Sequence, residues 1–508
     1  MDINERFAQL VVDPLYIHNL DMTIINMKSF YDRTFSIDDK ILSRICDNIL
    51  PRIHNQVTKL TVEQHSIERI LTINYPQLYF LTLVNFKEEI LFKYLTDYSI
   101  LHNLKNQITH LNIDIQNEMG SELSETSSNI FLLILSLCKR LTHLNFCQLF
   151  SYRDSSIYIS ELSRTSYISS SLVELKINVS IFDDCLDLLD GYLDNLTKLI
   201  INVKQIKYKQ RSNINNLKQL PKLKCFSLTS INYTHVYDEH ITQLLHQMIN
   251  LEELILFLTV VRIDSNFIDG HQLYDEVVIY MPKLNKFLFS INTSVILKNI
   301  DIDFSSNEYI QRSFIGKGYG QVGSYVFPKS INIVRRFLAY PELNIRGGGR
   351  SHIFSLPYSF KYFLDLNNSF QGGMFDNVQY LKMNDIRPFE YQLFKKISEN
   401  FPCLKELIIC NREAQTDKQH LSTLIRFPHL ILLNLVMTHV DYAEQFLSDK
   451  KTDLPCLLDL CIEYESLIMV TNNFTNNATR LHCAKLKGLH INKPFVRPKH
   501  FHQYFPLL

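Results

Sequence analysis

The residues of this chain whose types and spacing most resemble a site for chemistry lie at Gly316-Lys317-Gly318-Tyr319-Gly320-Gln321-Val322-Gly323. Positions 318–323 satisfy Gly-x-Gly-x-x-Gly, the pattern that lets a backbone approach a pyrophosphate at a helix N-terminus. That chemistry needs a helix next, and Ser324-Tyr325-Val326-Phe327-Pro328 instead reads as a strand stopped by proline. A phosphate-cradling Gly-Lys-Ser/Thr is also missing, because Lys317 is followed by Gly318, and the further lysine, catalytic-loop and metal-binding sequences of a kinase are absent. The glycines are therefore expected in a flexible surface loop. His235, His240, His500 and His502 lack the His-Glu-x-x-His spacing of a zinc site, and the ten cysteines contain no Cys-x-x-Cys pair. No Gly-x-Ser-x-Gly elbow offers a hydrolytic serine. No catalytic, cofactor-binding or metal-ligating residue is assigned, no cofactor is expected, and the chain reads as something other than an enzyme.

A different pattern organises the sequence. Leu251-Glu252-Glu253-Leu254-Ile255-Leu256 carries the spacing Leu-x-x-Leu-x-Leu, whose last two apolar residues stand at i and i+2 on one face of a strand. The spacing recurs at Val57/Leu60/Val62, Leu78/Leu81/Leu83, Ile108/Leu111/Ile113, Leu141/Leu144/Phe146, Leu172/Leu175/Ile177, Leu196/Leu199/Ile201, Leu223/Phe226/Leu228, Leu251/Leu254/Leu256 and Leu284/Phe287/Phe289. It resumes at Val378/Leu381/Met383, Leu404/Leu407/Ile409, Leu430/Leu433/Leu435, Leu457/Leu460/Ile462 and Leu486/Leu489/Ile491. The steps average about 28 residues in the first series and 27 in the second. Such a short strand cannot bury its face alone, so successive repeats must stack. The expected fold is α/β, a leucine-rich-repeat solenoid of strand-turn-helix units of about 27–29 residues with one long insertion.

The return paths read as helices. Ile241, Leu244, Leu245 and Met248 share one face, as do Leu393, Phe394 and Ile397, the latter before Pro402. An earlier helix with Ile41, Ile45 and Ile49 on its apolar side is expected to end at Pro51, and Ile3 to Val11 makes a short helical piece. Ile17, Leu20 and Met22 form a degenerate first repeat, while Pro76, Pro221, Pro282, Pro402, Pro428 and Pro455 separate helix from strand. The expected organisation is a cap at 1–16, a first repeat array at 17–290, an insertion with glycine-rich loops at 291–377, and a second array with its cap at 378–508. Ile333 to Gly349 fits the pattern worst, and one expectation is that it forms no part of the functional chain.

Function is sought on the outward positions of the strands, which alternate with the buried ones. The first part is polar: His110, Asn112, Asp114; His143, Asn145, Cys147; Glu174, Lys176, Asn178; Lys198, Ile200, Asn202. Apolar residues gather on both sides of the insertion. The candidate partner-binding residues are Glu253, Ile255, Phe257, Lys286, Leu288, Tyr380, Lys382, Glu406, Ile408, Leu432, Asn434 and Val436. Either the insertion folds back and covers Ile255, Phe257 and Leu288, or the patch receives a partner. In the second case, aspartate at Phe257 or Leu432 is expected to weaken a complex and leave stability nearly unchanged.

Lysine plus arginine and aspartate plus glutamate both number 52, so no net field draws the chain to nucleic acid or an anionic membrane, and neither is an expected partner. The longest strongly apolar run, Ile130 to Cys138, is too short to span a bilayer, and the first residues lack the pattern of a signal peptide. The expectation is a soluble, cytoplasmic or nuclear monomer with free thiols, in which the sequons at Asn195 and Asn473 arise by chance.

Ile3-Asn4-Glu5-Arg6-Phe7-Ala8-Gln9-Leu10 and Pro14-Leu15-Tyr16-Ile17-His18-Asn19-Leu20-Asp21, followed by these repeats, resemble the last helix of an F-box and its passage into the first repeat of the F-box/leucine-rich-repeat family. The resemblance covers nearly the whole chain for the repeats and about ten residues for the F-box. It implies a substrate-recognition part of a cullin-based ubiquitin ligase, acting in ubiquitin-dependent protein degradation, whose repeats hold a target protein and whose F-box meets the ligase adaptor. The opening Leu-Pro and amphipathic helix of that family are absent here. The chain is thus expected to bind the adaptor poorly, either as a fragment of a longer protein or as a stand-alone repeat scaffold without a ligase connection.

Overall fold

The computed structural model describes residues 18–23, 39–96, 104–116, 125–147, 156–159, 169–190, 193–207, 222–328, 347–417, 423–493, 495, 497, 498 and 500–508. The helical piece expected over Ile3 to Val11 lies outside them. The chain is mixed α/β, dominated by parallel strands, and divides into two compact units: Met1–Val260 with Gln272–Leu288, and Val261–His271 with Phe289–Leu508.

The first unit is built on β1 (Asn19–Met22), β2 (Lys59–Glu63), β3 (Phe80–Lys87), β4 (His110–Gln116), β5 (His143–Phe146), β6 (Glu174–Ile181), β7 (Lys198–Gln205), β8 (Cys225–Thr234) and the first part of β9 (Glu253–Ile263). Each strand pairs in parallel with the next. The register stacks each repeat position on itself: Leu60, Leu81, Leu111, Leu144, Leu175, Leu199, Phe226 and Leu254 form one buried column. Burying a side chain of this size contributes about 1.5–3 kcal/mol, so the column is a principal source of the unit's stability.

The return helices start where acids suit the positive helix end. In the helix Phe182–Leu189, Asp184 is fully buried, yet its carboxylate accepts from the Ile181 amide at 3.0 Å and the Ile159 amide at 2.7 Å. Ile241, Leu244, Leu245 and Met248 are buried as their spacing requires. The early helix departs from expectation. It runs from Asp39 through a π turn at Ile45–Ile49 and on to Ile53, because Pro51 falls in the first turn of the final segment, where its missing N–H costs nothing. Its buried residues are Leu42, Leu50 and Ile53, whereas Ile41 is 54% exposed. Pro76, Pro282, Pro402, Pro428 and Pro455 all lie in turns before strands.

The second unit combines two kinds of sheet. Beyond Leu288, β10 (Lys286–Leu297) pairs antiparallel with β12 (Gly347–Leu356), which pairs antiparallel with β11 (Gln321–Pro328). A parallel sheet follows in the order β13 (Tyr362–Leu366), β14 (Tyr380–Asn384), β15 (Glu406–Asn411), β17 (Leu432–Thr438), β19 (Asp459–Ile462) and β20 (Gly488–Ile491). The two-residue strands β16 (Ile425–Arg426) and β18 (Thr452–Asp453) pair separately. The buried column here is Phe363, Leu381, Leu407, Leu433 and Leu460, with Leu489 partly buried at its end. Leu393, Phe394 and Ile397 are packed into this core from the helix Tyr391–Asn400.

The expected insertion limits are corrected on both sides. Position 290/291 falls inside β10, and β13 belongs to the parallel sheet although it precedes Val378. Asp365 at φ 61° makes a bulge, so Phe363 and Leu366 align with Leu381 and Met383, and the repeat spacing reads three residues instead of two. The glycine loop is corrected as well. Gly316, Gly318 and Gly320 have positive φ and form the turn into β11, but Gly323 lies within that strand, where a Cβ would strike the Phe354 ring. Of the stretch Ile333 to Gly349, the described residues Gly347–Gly349 open β12 and are paired with β10, so that part is integral to the fold. Among the described residues, no helix is long and apolar enough to cross a membrane.

Candidate functional site

In each unit the strand register gathers the outward side chains into columns. The first column of the first unit runs Lys59, Phe80, His110, His143, Glu174, Lys198, Cys225 and Glu253. Lys59 lies over the Phe80 ring at 5.5 Å, Phe80 stacks on His110 at 5.4 Å, and His110 stacks on His143 at 4.1 Å with the rings 7° from parallel. Ion pairs follow: Lys198 to Glu174 at 3.1 Å and Lys286 to Glu253 at 2.5 Å. The Lys286 hydrogen bond holds the Glu253 carboxyl below the usual carboxylate range, while burial and then Glu253 push the Cys225 thiol up to about 12. The second column places Lys176, Ile200, Ser227 and Ile255 side by side. The Lys286 amide donates to the Glu252 carbonyl at 3.2 Å.

The threonines before the two stacked histidines place a hydroxyl against each ring. Thr142 Oγ1 lies 3.0 Å from the Thr109 carbonyl, which also accepts from the Thr142 and His143 amides, and 2.9 Å from His143 Nδ1. Thr109 repeats the arrangement, 3.4 Å from the Tyr79 carbonyl and 2.9 Å from His110 Nδ1. Burial, then His143 and Lys59, hold the His110 imidazole below its ordinary pKa and hence neutral at pH 7.

In the second unit Tyr380 aligns with Glu406 and Leu432, and Lys382 with Ile408 and Asn434. Tyr362 packs on Tyr380 with centroids 5.6 Å apart, and burial pushes the Tyr380 phenol up. The register therefore brings Tyr380, Lys382, Glu406, Ile408, Leu432 and Asn434 together, with Val436 further along β17. Glu253, Ile255 and Leu288 are half-buried and Lys286 is exposed. Two candidates are corrected. Phe257 is 1% exposed and Leu432 7%, so neither is a surface anchor, and aspartate at either is a core substitution. Asp114, Cys147, Ser290 and Asn384, also outward in the repeat pattern, are buried too.

The sequence pattern missed a buried polar cluster in the second unit. Arg350 on β12 forms an ion pair with Asp365 on the β13 bulge, each side chain 9% exposed, joining the antiparallel strands to the parallel sheet. Arg350 holds the Asp365 carboxyl down against the opposing, larger effect of burial, with Lys382 adding to it. Nearby, Ser290 Oγ lies 2.9 Å from His352 Nε2 and 3.1 Å from the Tyr358 hydroxyl, which donates to the Tyr362 carbonyl at 2.6 Å. The arrangement that uses every proton runs from His352 Nε2–H to Ser290, from Ser290 to Tyr358, and from Tyr358 to Tyr362. A nucleophilic serine would have to donate to that nitrogen, and Ser290 and His352 are 0% and 4% exposed. This is a structural network. Burial pushes His352 down to about 3, which keeps it neutral. Arg350-Ser351-His352-Ile353-Phe354 carries no apolar alternation, and nothing in it identifies the partners.

The ten cysteines are free, and their shifted thiols, such as Cys147 at about 12, are raised by burial and so poorly nucleophilic. Among the described residues, no group of three or more His, Cys, Asp or Glu side chains is arranged to hold a metal ion. The chain matches no protein-family model and no curated protein.

Proposed function

We propose that the chain is a leucine-rich-repeat solenoid whose strand faces bind a target protein, and that it serves as the substrate-recognition part of an F-box type, cullin-based ubiquitin ligase. The observation that carries the binding role is the half-buried group Ile200, Ile255 and Leu288 beside the ion pairs Lys198–Glu174 and Lys286–Glu253. Apolar surface framed by fixed charges is the composition of a protein-binding patch, in which the aliphatic residues supply affinity and the charges supply selectivity. The exposed ion pairs themselves add little to folding, ~0–1 kcal/mol each. The ligase assignment rests on the likeness of residues 3–21 to the end of an F-box.

A stand-alone scaffold is the second reading, favoured by how little of the chain carries that likeness compared with the repeats. Affinity purification of the full chain from its native cells separates the two. Recovery of a ligase adaptor and cullin along with a target supports the first. Recovery of a target without either supports the second. Ile255→Asp with Leu288→Asp should abolish target capture in both, and undiminished capture by that folded variant would refute the binding surface.

A further inference from the structure

We propose that the second unit docks on an anionic lipid bilayer through a basic and apolar surface formed by the helix Asn477–Cys483 and the helical turn Phe501–Tyr504. The chain as a whole is charge-balanced, but its charges are unevenly distributed. Glu465 is the last acidic residue, and residues 466–508 contain Arg480, Lys485, Lys487, Lys493, Arg497 and Lys499 with no aspartate or glutamate. A field that cancels over the whole sequence is therefore present locally.

Packing gathers part of this charge in one place. The Tyr504 hydroxyl donates to the Asn476 carbonyl at 2.9 Å, which fastens the turn to the start of the helix. Arg480 Nη2 donates to the Gln503 carbonyl at 3.4 Å, and the Arg497 guanidinium lies 5.2 Å from the centre of the Phe501 ring. Both arginines are exposed, and the groups that hold them are neutral, so their positions are set while their charges stay uncompensated. Two nearby lysines differ: Lys493 is paired with Glu465 at 3.2 Å, and Lys487 stands by Asp459. Asp449 and Asp453 lie by His482, about 200° around the helix axis from Arg480.

Leu481, next to Arg480, is 53% exposed, and Leu507, three residues past the turn, is 48% exposed. Uncompensated cations beside protruding aliphatic side chains suit an interfacial membrane contact, in which headgroup phosphates meet the cations and the leucines enter the acyl boundary. Side chains this exposed fit a deformable bilayer better than the shaped pocket of an acidic protein. Nucleic acid is disfavoured because Phe501, Tyr504 and Phe505 are buried and their rings are withheld from base stacking.

The test uses the full chain in sedimentation with vesicles. Vesicles of phosphatidylcholine mixed with phosphatidylserine should carry the chain down, those of phosphatidylcholine alone should not, and added salt should release it. That comparison needs no variant. Arg480→Gln with Arg497→Gln should weaken binding about 25-fold, since each basic residue at an anionic surface contributes roughly a factor of five. Leu481→Ser should weaken it several-fold with the salt dependence kept, and both variants should retain the urea midpoint of wild type. Equal sedimentation with the two kinds of vesicle would overturn the proposal, as would a folded double variant that binds like wild type. A chain that ignores the vesicles and binds polyglutamate or RNA would also overturn it and give the surface to an acidic protein or a nucleic acid.

Discussion

Phe257→Asp and Ile255→Asp, two residues apart on β9, should behave in opposite ways. Both positions point outward in the repeat pattern, yet Phe257 is 1% exposed and Ile255 is half-buried. Removing a buried phenylalanine costs ~3–5 kcal/mol from lost transfer energy and the cavity left behind. Aspartate adds the cost of an unpaired buried carboxyl, roughly 1–3 kcal/mol even if it takes up a proton. The sum, about 4–8 kcal/mol, is comparable to the whole stability of an ordinary domain. Ile255→Asp, with solvent within reach, should cost no more than ~1 kcal/mol. Urea unfolding followed by far-UV circular dichroism measures both, since the chain contains no tryptophan to report by fluorescence. The expected result is a first unit unfolded or nearly so in Phe257→Asp and a midpoint close to wild type in Ile255→Asp. A Phe257→Asp midpoint within error of wild type would refute the burial of this side chain and restore Phe257 as a surface anchor.

Other perturbations address the second unit. Gly349→Ala should destabilise by ~1–3 kcal/mol, because its Cβ would stand 2.8 Å from Phe267 Cζ and 3.0 Å from Phe304 Cε2, and an unchanged thermal midpoint would show that the rings yield. His352 is held at about 3, so as pH falls through ~6.5 the unfolded chain takes a proton that the folded chain refuses, and stability drops by about 1.4 kcal/mol per pH unit toward the folded value. Urea midpoints at pH 7 and 5 measure this, and His352→Gln should flatten the difference. Asp459 works the other way. It is fully buried, neither carboxylate oxygen has a hydrogen-bond partner among the described residues, and burial pushes it up to about 7 against the pull of Lys487. Its contribution is complete below ~4, is lost as pH rises to 7, and is constant beyond. Asp459→Asn should therefore stabilise by on the order of 2–4 kcal/mol at pH 8 and converge with wild type near pH 4, whereas an equal midpoint at pH 8 would mean the carboxylate is solvated.

What could be read from the sequence follows from the parallel register. Because Leu60, Leu81, Leu111 and Leu144 occupy equivalent positions on successive strands, one spacing repeated in the sequence becomes one column in space. All fourteen repeats fall on strands, and the outward neighbours of the column were legible for the same reason. The spacing specifies which face a residue points from, but not what covers that face, so the burial of Phe257, Leu432 and Ser290 was beyond it. β13 escaped notice because the bulge at Asp365 changes the count between Phe363 and Leu366. The Arg350–Asp365 pair joins residues whose proximity depends on β12 running antiparallel, a direction that no local pattern encodes.

The same columns determine what the first unit's face can do. A partner crossing the strands would meet one chemistry after another along a single row: a cation over an aromatic ring at Lys59 and Phe80, two stacked imidazoles at His110 and His143, then the ion pairs Glu174–Lys198 and Glu253–Lys286 on either side of Cys225. Neighbouring side chains in this row already satisfy one another, so a ligand must either match the existing order of donors and acceptors or displace a pair and leave a charge unmatched. Under the proposed function, selectivity would come from the sequence of column positions, and affinity from the aliphatic surface of Ile200, Ile255 and Leu288 one row away. On this arrangement, exchanging Glu253 and Lys286 preserves the pair and the fold while reversing local polarity. Target capture lost in the exchanged variant, with its unfolding midpoint kept, would locate selectivity in this row, and retained capture would assign it elsewhere.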